Sequence, residues 1–191
     1  MANIDAPFGL RPVKSSTSSQ RQNRYRIASG YNTNIFQGDL VTVTTTGTIV
    51  RVAAGDNALC LGVFNGCSYV DPNGNVIFSN YWPANATGTD IFCNVVDDPS
   101  AFFEIQANAA FPVTDLFGNF DIVDSNPVGS TVSGNSRMEI AVSTGATTAA
   151  LALKAMDISQ DPERNDTATT HTCVIVKINN HLFSAGTAGL T

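Results

Sequence analysis

Three carboxylates lie close together in VVDDPSAFFEIQ, residues 95–106, and they are the first groups to test for acid–base chemistry. Asp97 and Asp98 are adjacent, and Glu104 follows six residues after Asp98. General acid and base catalysis needs two carboxylates that face each other across a substrate. Neighbouring residues of a strand point to opposite faces, and Asp before Pro typically starts a turn. We therefore expect Asp97 and Asp98 to shape the backbone at a strand end.

The other oxygen-rich segments carry no recognisable metal or cofactor motif. DPNGN, residues 71–75, begins like a calcium loop, but the glycine and glutamate that complete an EF-hand loop are missing, so we expect a hairpin turn. His171 and His181 belong to no zinc-protease, nucleophile-elbow or phosphate-binding motif. We predict no catalytic residue, no metal and no cofactor, and hence a protein that is not an enzyme. A looser set of oxygen donors, to which we assign no ion, comprises Asp115, Asn119, Asp121 and Asp124.

For the cysteines and the large aromatic residues, burial in the core is a simpler interpretation than a chemical role. Cys60, Cys67, Cys93 and Cys173 have neither a CxxC pair nor zinc-like spacing, and each lies in or beside an apolar run. We expect buried free thiols, because a protein made in the cytosol rarely forms disulfides.

Tyr69, Tyr81 and Trp82 are the aromatic residues that we considered for carbohydrate binding. On a β scaffold, such side chains either fill the core or form an exposed platform for sugars. We favour the core, and the platform stays open as the alternative.

The elements that must position these residues are predicted to be strands. Only 14% of residues are charged, and the polar character comes from Thr and Asn, which favour strands and turns. Apolar and polar residues alternate in segments about ten residues apart, which indicates an all-β sandwich or a β-barrel. In AFFEIQA, residues 101–107, the alternation places Phe103 and Ile105 on the better core face and Glu104 on the other. The segment TDLFGNF, residues 114–120, predicts one helical turn capped by Thr114.

Charge divides the chain into a basic start and an acidic body. Residues 1–26 carry five basic groups and one acid, a net charge of +4, whereas residues 27–191 carry five basic and fifteen acidic groups, a net charge of −10. We predict an extended N-terminal arm over residues 1–26, which contains the Ser/Thr-rich spacer KSSTSSQ. The arm is either a solvated terminus or a segment that binds an acidic partner, and the acidic body disfavours nucleic acid. No apolar run is long enough for a membrane span.

A break in the strand pattern near residues 108–114 sets the predicted domain boundary. We predict a first β lobe over residues 27–110 and a second over residues 111–191, with one continuous β domain over residues 27–191 as the alternative.

Several short motifs together resemble a family of small virion proteins of tailed bacteriophages, the head decoration or cement proteins. They are ANIDAPFGLRPVK, GDLVTV, LGVFNGCSYVD, NYWPA, DDPSAFFEIQA and VKINNH, and they are spread over nearly the whole chain. The GDLV and LGVF motifs also resemble the β-tulip type of decoration domain.

The resemblance implies a structural protein on the outer surface of the phage head. Such proteins bind neighbouring major capsid subunits, commonly as homotrimers, and are made in the host cytoplasm. The residues expected to contact the capsid protein or a neighbouring copy are Phe8, Arg11, Lys14, Arg21, Arg24 and Arg26. Two rival functions stay open: a tail or fibre protein that binds host glycans through Tyr81 and Trp82, and a glycan hydrolase that uses Asp97, Asp98 or Glu104.

Overall fold

The computed structural model describes residues 2–15 and 21–190, and within them the protein is all-β, as the composition predicted. A single-turn 3-10 helix at Val113–Asp115 is the helical element of this part of the chain. None of the described helical residues forms a helix long and apolar enough to cross a membrane. The strands are β1 (Arg11–Ser15), β2 (Gln22–Tyr25), β3 (Ile35–Phe36), β4 (Leu40–Val43), β5 (Ile49–Arg51), β6 (Cys60–Val70), β7 (Val76–Ser79), β8 (Tyr81–Trp82), β9 (Thr89–Val96), β10 (Ala101–Gln106), β11 (Asn119–Gly129), β12 (Ser136–Ala146), β13 (Leu153–Ile158) and β14 (Cys173–Ile178).

Two antiparallel sheets contain most of these strands. The first sheet has the order β1-β10-β14-β13-β11-β12, and the second has the order β2-β9-β6-β4-β5 with β7 paired to the far end of β6. Strands β3 and β8 form a separate two-stranded ribbon. The two N-terminal strands therefore join different sheets, β1 beside β10 and β2 beside β9.

The two faces of the second sheet are both covered. Leu40, Val63 and Val96 face the first sheet and pack in one apolar cluster with Phe103 and Ile105. Their neighbours along the same strands face the opposite side and form a second apolar cluster around Trp82: they include Val41, Phe64 and Val95. A strand buried on both faces needs apolar residues at successive positions. This explains why ALCLGVF reads as a continuous apolar run.

Local sequence signals place the β6–β7 turn correctly. At DPNGN the backbone N–H of Gly74 donates to the carbonyl of Asp71, the carboxylate of Asp71 accepts from the N–H groups of Asn73 and Asn75, and Gly74 has a φ of 86°. The hairpin prediction is confirmed. The helical turn also exists, but the prediction that Thr114 caps it is wrong: Thr114 lies inside the turn, and Pro112 occupies the capping position without a side-chain bond.

Strand β10 has the predicted core face and also an unexpected one. Phe103, Ile105 and Ala107 are fully buried in the core, as the alternation predicted. Glu104 and Gln106 on the opposite face are also buried. The N-terminal segment and the loop after β13 cover this second face, so polar side chains are enclosed there.

Strand pairing connects the three segments predicted from sequence. Strands β1 and β2 lie within the predicted arm, residues 1–26, and each is the edge of a sheet. Residues 16–20 of the Ser/Thr-rich spacer lie outside the described residues. Strand β10 lies within the predicted first lobe, residues 27–110, and pairs with β14 of the predicted second lobe, residues 111–191.

All four cysteines are buried and unpaired, as expected. Burial raises the pKa of the Cys60, Cys67 and Cys93 thiols to about 12 and that of Cys173 to about 11. Thiols in this state are poor nucleophiles at neutral pH.

Candidate partner-binding surface

The five cationic side chains of the N-terminal region each lie over an aromatic ring. Cation–π contacts of this kind hold a charged group in place while leaving it in contact with solvent. Measured from the cationic atom to the ring centroid, they are Arg11 over Phe8 at 4.8 Å, Lys14 over Phe102 at 4.9 Å, Arg21 over Phe183 at 5.3 Å, and Arg24 and Arg26 over Phe92 at 4.2 and 5.3 Å. Phe8 is also contacted by Arg164, at 5.4 Å.

Two of the five cations also form ion pairs within the chain. Arg11 binds Glu104, which is buried on the outer face of the first sheet and also accepts a hydrogen bond of 2.6 Å from the Ser159 hydroxyl. Arg21 binds Asp97 at 3.1 Å, across the β2–β9 pair. The charges of Arg11 and Arg21 are therefore largely balanced by carboxylates of the protein itself.

Asp97 and Asp98 have different roles. Asp98 accepts hydrogen bonds from the backbone N–H and the hydroxyl of Ser100, so it shapes the turn as predicted. Asp97 is fully buried and instead binds side chains of β2 and the residue before it: Arg21, Asn23 and Tyr25. For Asp97 the expectation of a backbone turn was wrong, because the strand that supplies these partners lies more than seventy residues away in sequence.

The pKa of Tyr25 reflects its contact with Asp97. Its hydroxyl donates a 2.5 Å hydrogen bond to Asp97 Oδ2. Burial, together with this bond to a carboxylate, raises the pKa of Tyr25 to about 12. Asp97 thus anchors β2 to the second sheet through its side-chain contacts, in addition to the backbone ladder with β9.

The remaining three cations, Lys14, Arg24 and Arg26, are exposed and form no ion pair with any residue in the described part of the chain. Along β2, Tyr25 lies opposite Cys93 and packs on the apolar cluster of Trp82, so Arg24 and Arg26 project from the other face of the strand, where they stack on Phe92. We call these three residues the free cations. They are the N-terminal charges that stay available to an acidic partner.

The N-terminal segment before β1 is docked on the first sheet. Asn3 donates to the carbonyls of Asp166 and Thr170 at 2.8 and 3.0 Å, and its own side-chain oxygen accepts from the N–H of Asp166. Leu10 is buried in the core between the sheets. The segment is therefore held by specific contacts as far as β1.

Gln106 links this segment to the body. Its Oε1 accepts a 3.1 Å bond from the N–H of Ala6. Its Nε2 lies 3.2 Å from Asp5 Oδ1, 3.2 Å from Glu139 Oε1 and 3.1 Å from His171 Nδ1. Asp5, Glu139 and His171 also form a set of metal-type ligands whose donor atoms lie within 4.8 Å of one another. The amide nitrogen of Gln106 lies between them, where an ion would have to sit.

We expect Gln106→Glu to lower the free energy of unfolding by about 1–3 kcal/mol at neutral pH. The change keeps an acceptor for Ala6 but removes the two N–H donors, so the buried Glu139 loses a hydrogen-bond donor, and it adds a third carboxylate beside Asp5 and Glu139. Urea denaturation measures the effect. Gln160→Glu makes the same chemical change on an exposed residue, and equal stabilities of the two variants would contradict the role assigned to Gln106.

A second buried polar network joins the two sheets. Asp39 is fully buried, and its carboxylate accepts from Ser136 of β12 at 2.6 Å and from the backbone N–H of Phe36 at 2.8 Å. Arg51 of β5 donates to Asp39 at 2.9 Å and forms a two-point contact with Asp124 of β11. We did not expect this network from the sequence. The sequence does contain one sign of it, because Arg51 interrupts the apolar run IVRV, residues 49–52.

The structure does not bring together the other candidate sites that the sequence suggested. Trp82 is completely buried and Tyr81 stacks on Phe36 with ring centroids 5.5 Å apart, so these two residues do not form the exposed platform that glycan binding would need. His171 contacts Gln106, whereas His181 lies beside Cys60. In the oxygen-rich set, Asn119 donates to two backbone carbonyls and Asp124 binds Arg51.

Comparison with protein-family models, with curated proteins and with solved structures found no match to this chain.

Proposed function

We propose that the protein is a structural component of a tailed-phage virion, which binds the outer surface of the head and holds neighbouring major capsid subunits together. The motif resemblance selects this function. The observation that supports it on the molecule is the presence of the free cations Lys14, Arg24 and Arg26 on an otherwise acidic chain. Their side chains are positioned by stacking on Phe102 and Phe92 and have no ion pair of their own in the described residues.

The physical basis of such a clamp is linkage. A protein that binds assembled subunits and not separated ones stabilises the assembly, and many weak contacts are sufficient when copies are numerous. Positioned arginines suit this purpose because they form charge-assisted hydrogen bonds with carboxylates. Stacking on Phe92 restricts the rotamers of Arg24 and Arg26 before binding, so less conformational entropy is lost when the partner arrives. The proposed partners are the major capsid protein and further copies of this chain, in homotrimers.

We expect Arg24→Gln/Arg26→Gln to weaken binding to expanded, undecorated phage heads at least tenfold at low salt. The loss follows from removing two charges that would meet acidic capsid groups. Co-sedimentation of the purified protein with heads measures binding, and raising the salt concentration should weaken the wild type more than the variant, because exposed charge pairs are screened.

Arg137→Gln/Lys177→Gln is the matched control, since it removes two positive charges from other strands, β12 and β14. We expect it to bind like the wild type. Equal losses in the two variants would mean that the net charge of the protein, and not the position of the free cations, determines binding. Absence of saturable binding by the wild-type protein would reject the proposed function.

A further inference from the structure

Strand β7 carries an unusual amount of exposed apolar surface. Val76 is 63% exposed and Phe78 is 82% exposed, and both project from the same face of the strand. Val132, which is 98% exposed, lies on the β11–β12 hairpin and lines a shallow depression together with Phe78 and Tyr81. We call Val76, Phe78 and Val132 the β7 patch. Exposed apolar patches on a folded domain commonly mark contact surfaces.

The hairpin turn determines which backbone groups of β7 face outwards. The N–H of Asp71 donates to the carbonyl of Asn75 at 2.9 Å, so this pair is hydrogen-bonded. Hydrogen-bonded and non-hydrogen-bonded pairs alternate along an antiparallel ladder. The next pair, Val70–Val76, is therefore not hydrogen-bonded, and the pair after it, Tyr69–Ile77, is. The backbone N–H and C=O groups of Ile77 thus bond to β6. The N–H and C=O groups of Val76 and Phe78 therefore point away from β6, to the side where the described residues provide no further strand.

Apart from the short length of β7, four residues, this sheet edge lacks the usual protection against strand pairing. Natural edge strands are typically blocked by a lysine, a proline, an inward-pointing charge or a bulge. Residues 75–82, NVIFSNYW, contain no charge and no proline, and the β6–β7 register has no shift. The edge is therefore open and uncharged, on a chain whose net charge is −6.

We propose that β7 pairs with β7 of a second copy of this chain, in antiparallel orientation about a two-fold axis through Ile77. In this register Val76 lies opposite Phe78 of the second copy, and the reverse pair is identical by symmetry. Each of these pairs exchanges two backbone hydrogen bonds, so all four outward-facing groups of each copy are satisfied. The same register places apolar Val76 and Phe78 side by side on one face, which is a favourable cross-strand pair.

A second copy fits this edge better than an unrelated strand, because the segment is self-complementary in both hydrogen bonding and apolar surface. Two-fold symmetry also separates the hairpin aspartates: Asp71 of each copy lies at opposite ends of the paired strands, so they do not repel. The paired backbones and the two β7 patches bury on the order of 1,000 Å², which is the lower limit for a specific interface. The contact is therefore weak and reversible. It does not depend on head binding, and its two-fold symmetry differs from that of the homotrimer that the resemblance implies.

A single cysteine on the proposed axis tests the register. Ile77 and its symmetry mate form a non-hydrogen-bonded pair with Cα atoms about 4.5 Å apart, which is within the range of a disulfide. In Ile77→Cys we expect a covalent dimer, twice the 20.1 kDa chain, on a non-reducing gel after mild oxidation. Val76→Cys is the matched control: the two copies of residue 76 are about 8 Å or more apart in this register, too far for a disulfide. The native thiols do not compete, because burial raises their pKa to about 11 or 12.

Sedimentation velocity of the unmodified chain provides the second measurement. We expect a concentration-dependent shift in molar mass that Phe78→Lys abolishes and Val113→Lys, a change at another exposed apolar residue, leaves intact. A cross-link in Ile77→Cys that is absent in Val76→Cys supports the pairing whatever the total mass of the assembly. Equal cross-linking of the two variants, or none in Ile77→Cys at concentrations up to roughly 1 mM, overturns it.

Discussion

Replacing Arg51 by methionine is expected to lower the free energy of unfolding by about 3–5 kcal/mol, because it leaves a buried carboxylate without its counter-charge. Asp39 is fully buried, and the Arg51 side chain is only 6% exposed. Methionine fills much of the same volume, so the loss arises from charge and hydrogen bonding more than from a cavity. Urea denaturation at neutral pH measures the change.

The loss should depend on pH in a definite direction. Burial raises the pKa of Asp39, while Arg51 and the hydrogen bonds from Ser136 and Phe36 oppose that shift. Without Arg51 the pKa of Asp39 rises further. A carboxyl with a raised pKa in the folded state costs nothing when protonated and destabilises as the pH rises through that pKa. The difference between Arg51→Met and the wild type should therefore shrink as the pH falls.

Arg137→Met provides the control for this prediction. Arg137 is an exposed arginine of β12 that forms no ion pair within the described residues, and surface substitutions of this kind usually change stability by about 0.5 kcal/mol or less. A similar loss in both variants, or a loss in Arg51→Met that does not change with pH, would argue against the buried-charge explanation.

Replacing Trp82 by alanine is the second change with a large expected effect, a loss of about 3–5 kcal/mol. Trp82 is completely buried at the centre of the apolar cluster on the outer side of the second sheet. It packs edge-on against Tyr69 with ring centroids 5.2 Å apart, and its Nε1 donates to the carbonyl of Tyr31 at 3.4 Å. Removing the indole leaves a cavity, whereas the Tyr31 carbonyl keeps its 2.8 Å bond from the backbone N–H of Asn85. Thermal or urea denaturation measures the loss.

Phe78→Ala is the comparison for Trp82→Ala, because Phe78 is 82% exposed and its removal should change the stability of the monomer by about 0.5 kcal/mol or less. The same indole also tests the glycan alternative, since Trp82 is the single tryptophan of the chain. We expect its fluorescence to be insensitive to oligosaccharides and to a water-soluble quencher such as iodide. Strong quenching of the folded protein by either would contradict the buried position.

Local chemistry accounts for the features that could be predicted from sequence. Alternation in AFFEIQA identified Phe103 and Ile105 as core residues, and the DPNG pattern identified the β6–β7 turn, because side-chain direction and turn geometry depend on neighbouring residues alone. Thr114 shows the limit of such signals. Its side chain suited a helix cap, but the turn begins one residue earlier, after Pro112, and hydrogen-bond closure decides that position.

The roles of the polar residues required the sheet order. Asp97 resembled a turn residue and is instead the anchor of β2, because Arg21, Asn23 and Tyr25 reach it across the β2–β9 ladder. For Gln106, the alternation in the sequence predicted only a place on the polar face of a strand. Gln106 became the contact point of the N-terminal segment because Asp5 and Ala6 lie across that face.

From the sequence alone one could infer that this protein is all-β, that its four cysteines are buried and unpaired, and that its positive charge is concentrated near the N-terminus. Composition, periodicity and charge are properties of the chain, so they survive any arrangement of the strands. The fold was needed to show which charges are balanced internally and which remain free. It also decided that Val76 and Phe78 lie on an open sheet edge. Both outcomes depend on which strands become neighbours, and that is set by pairing between residues far apart in the chain.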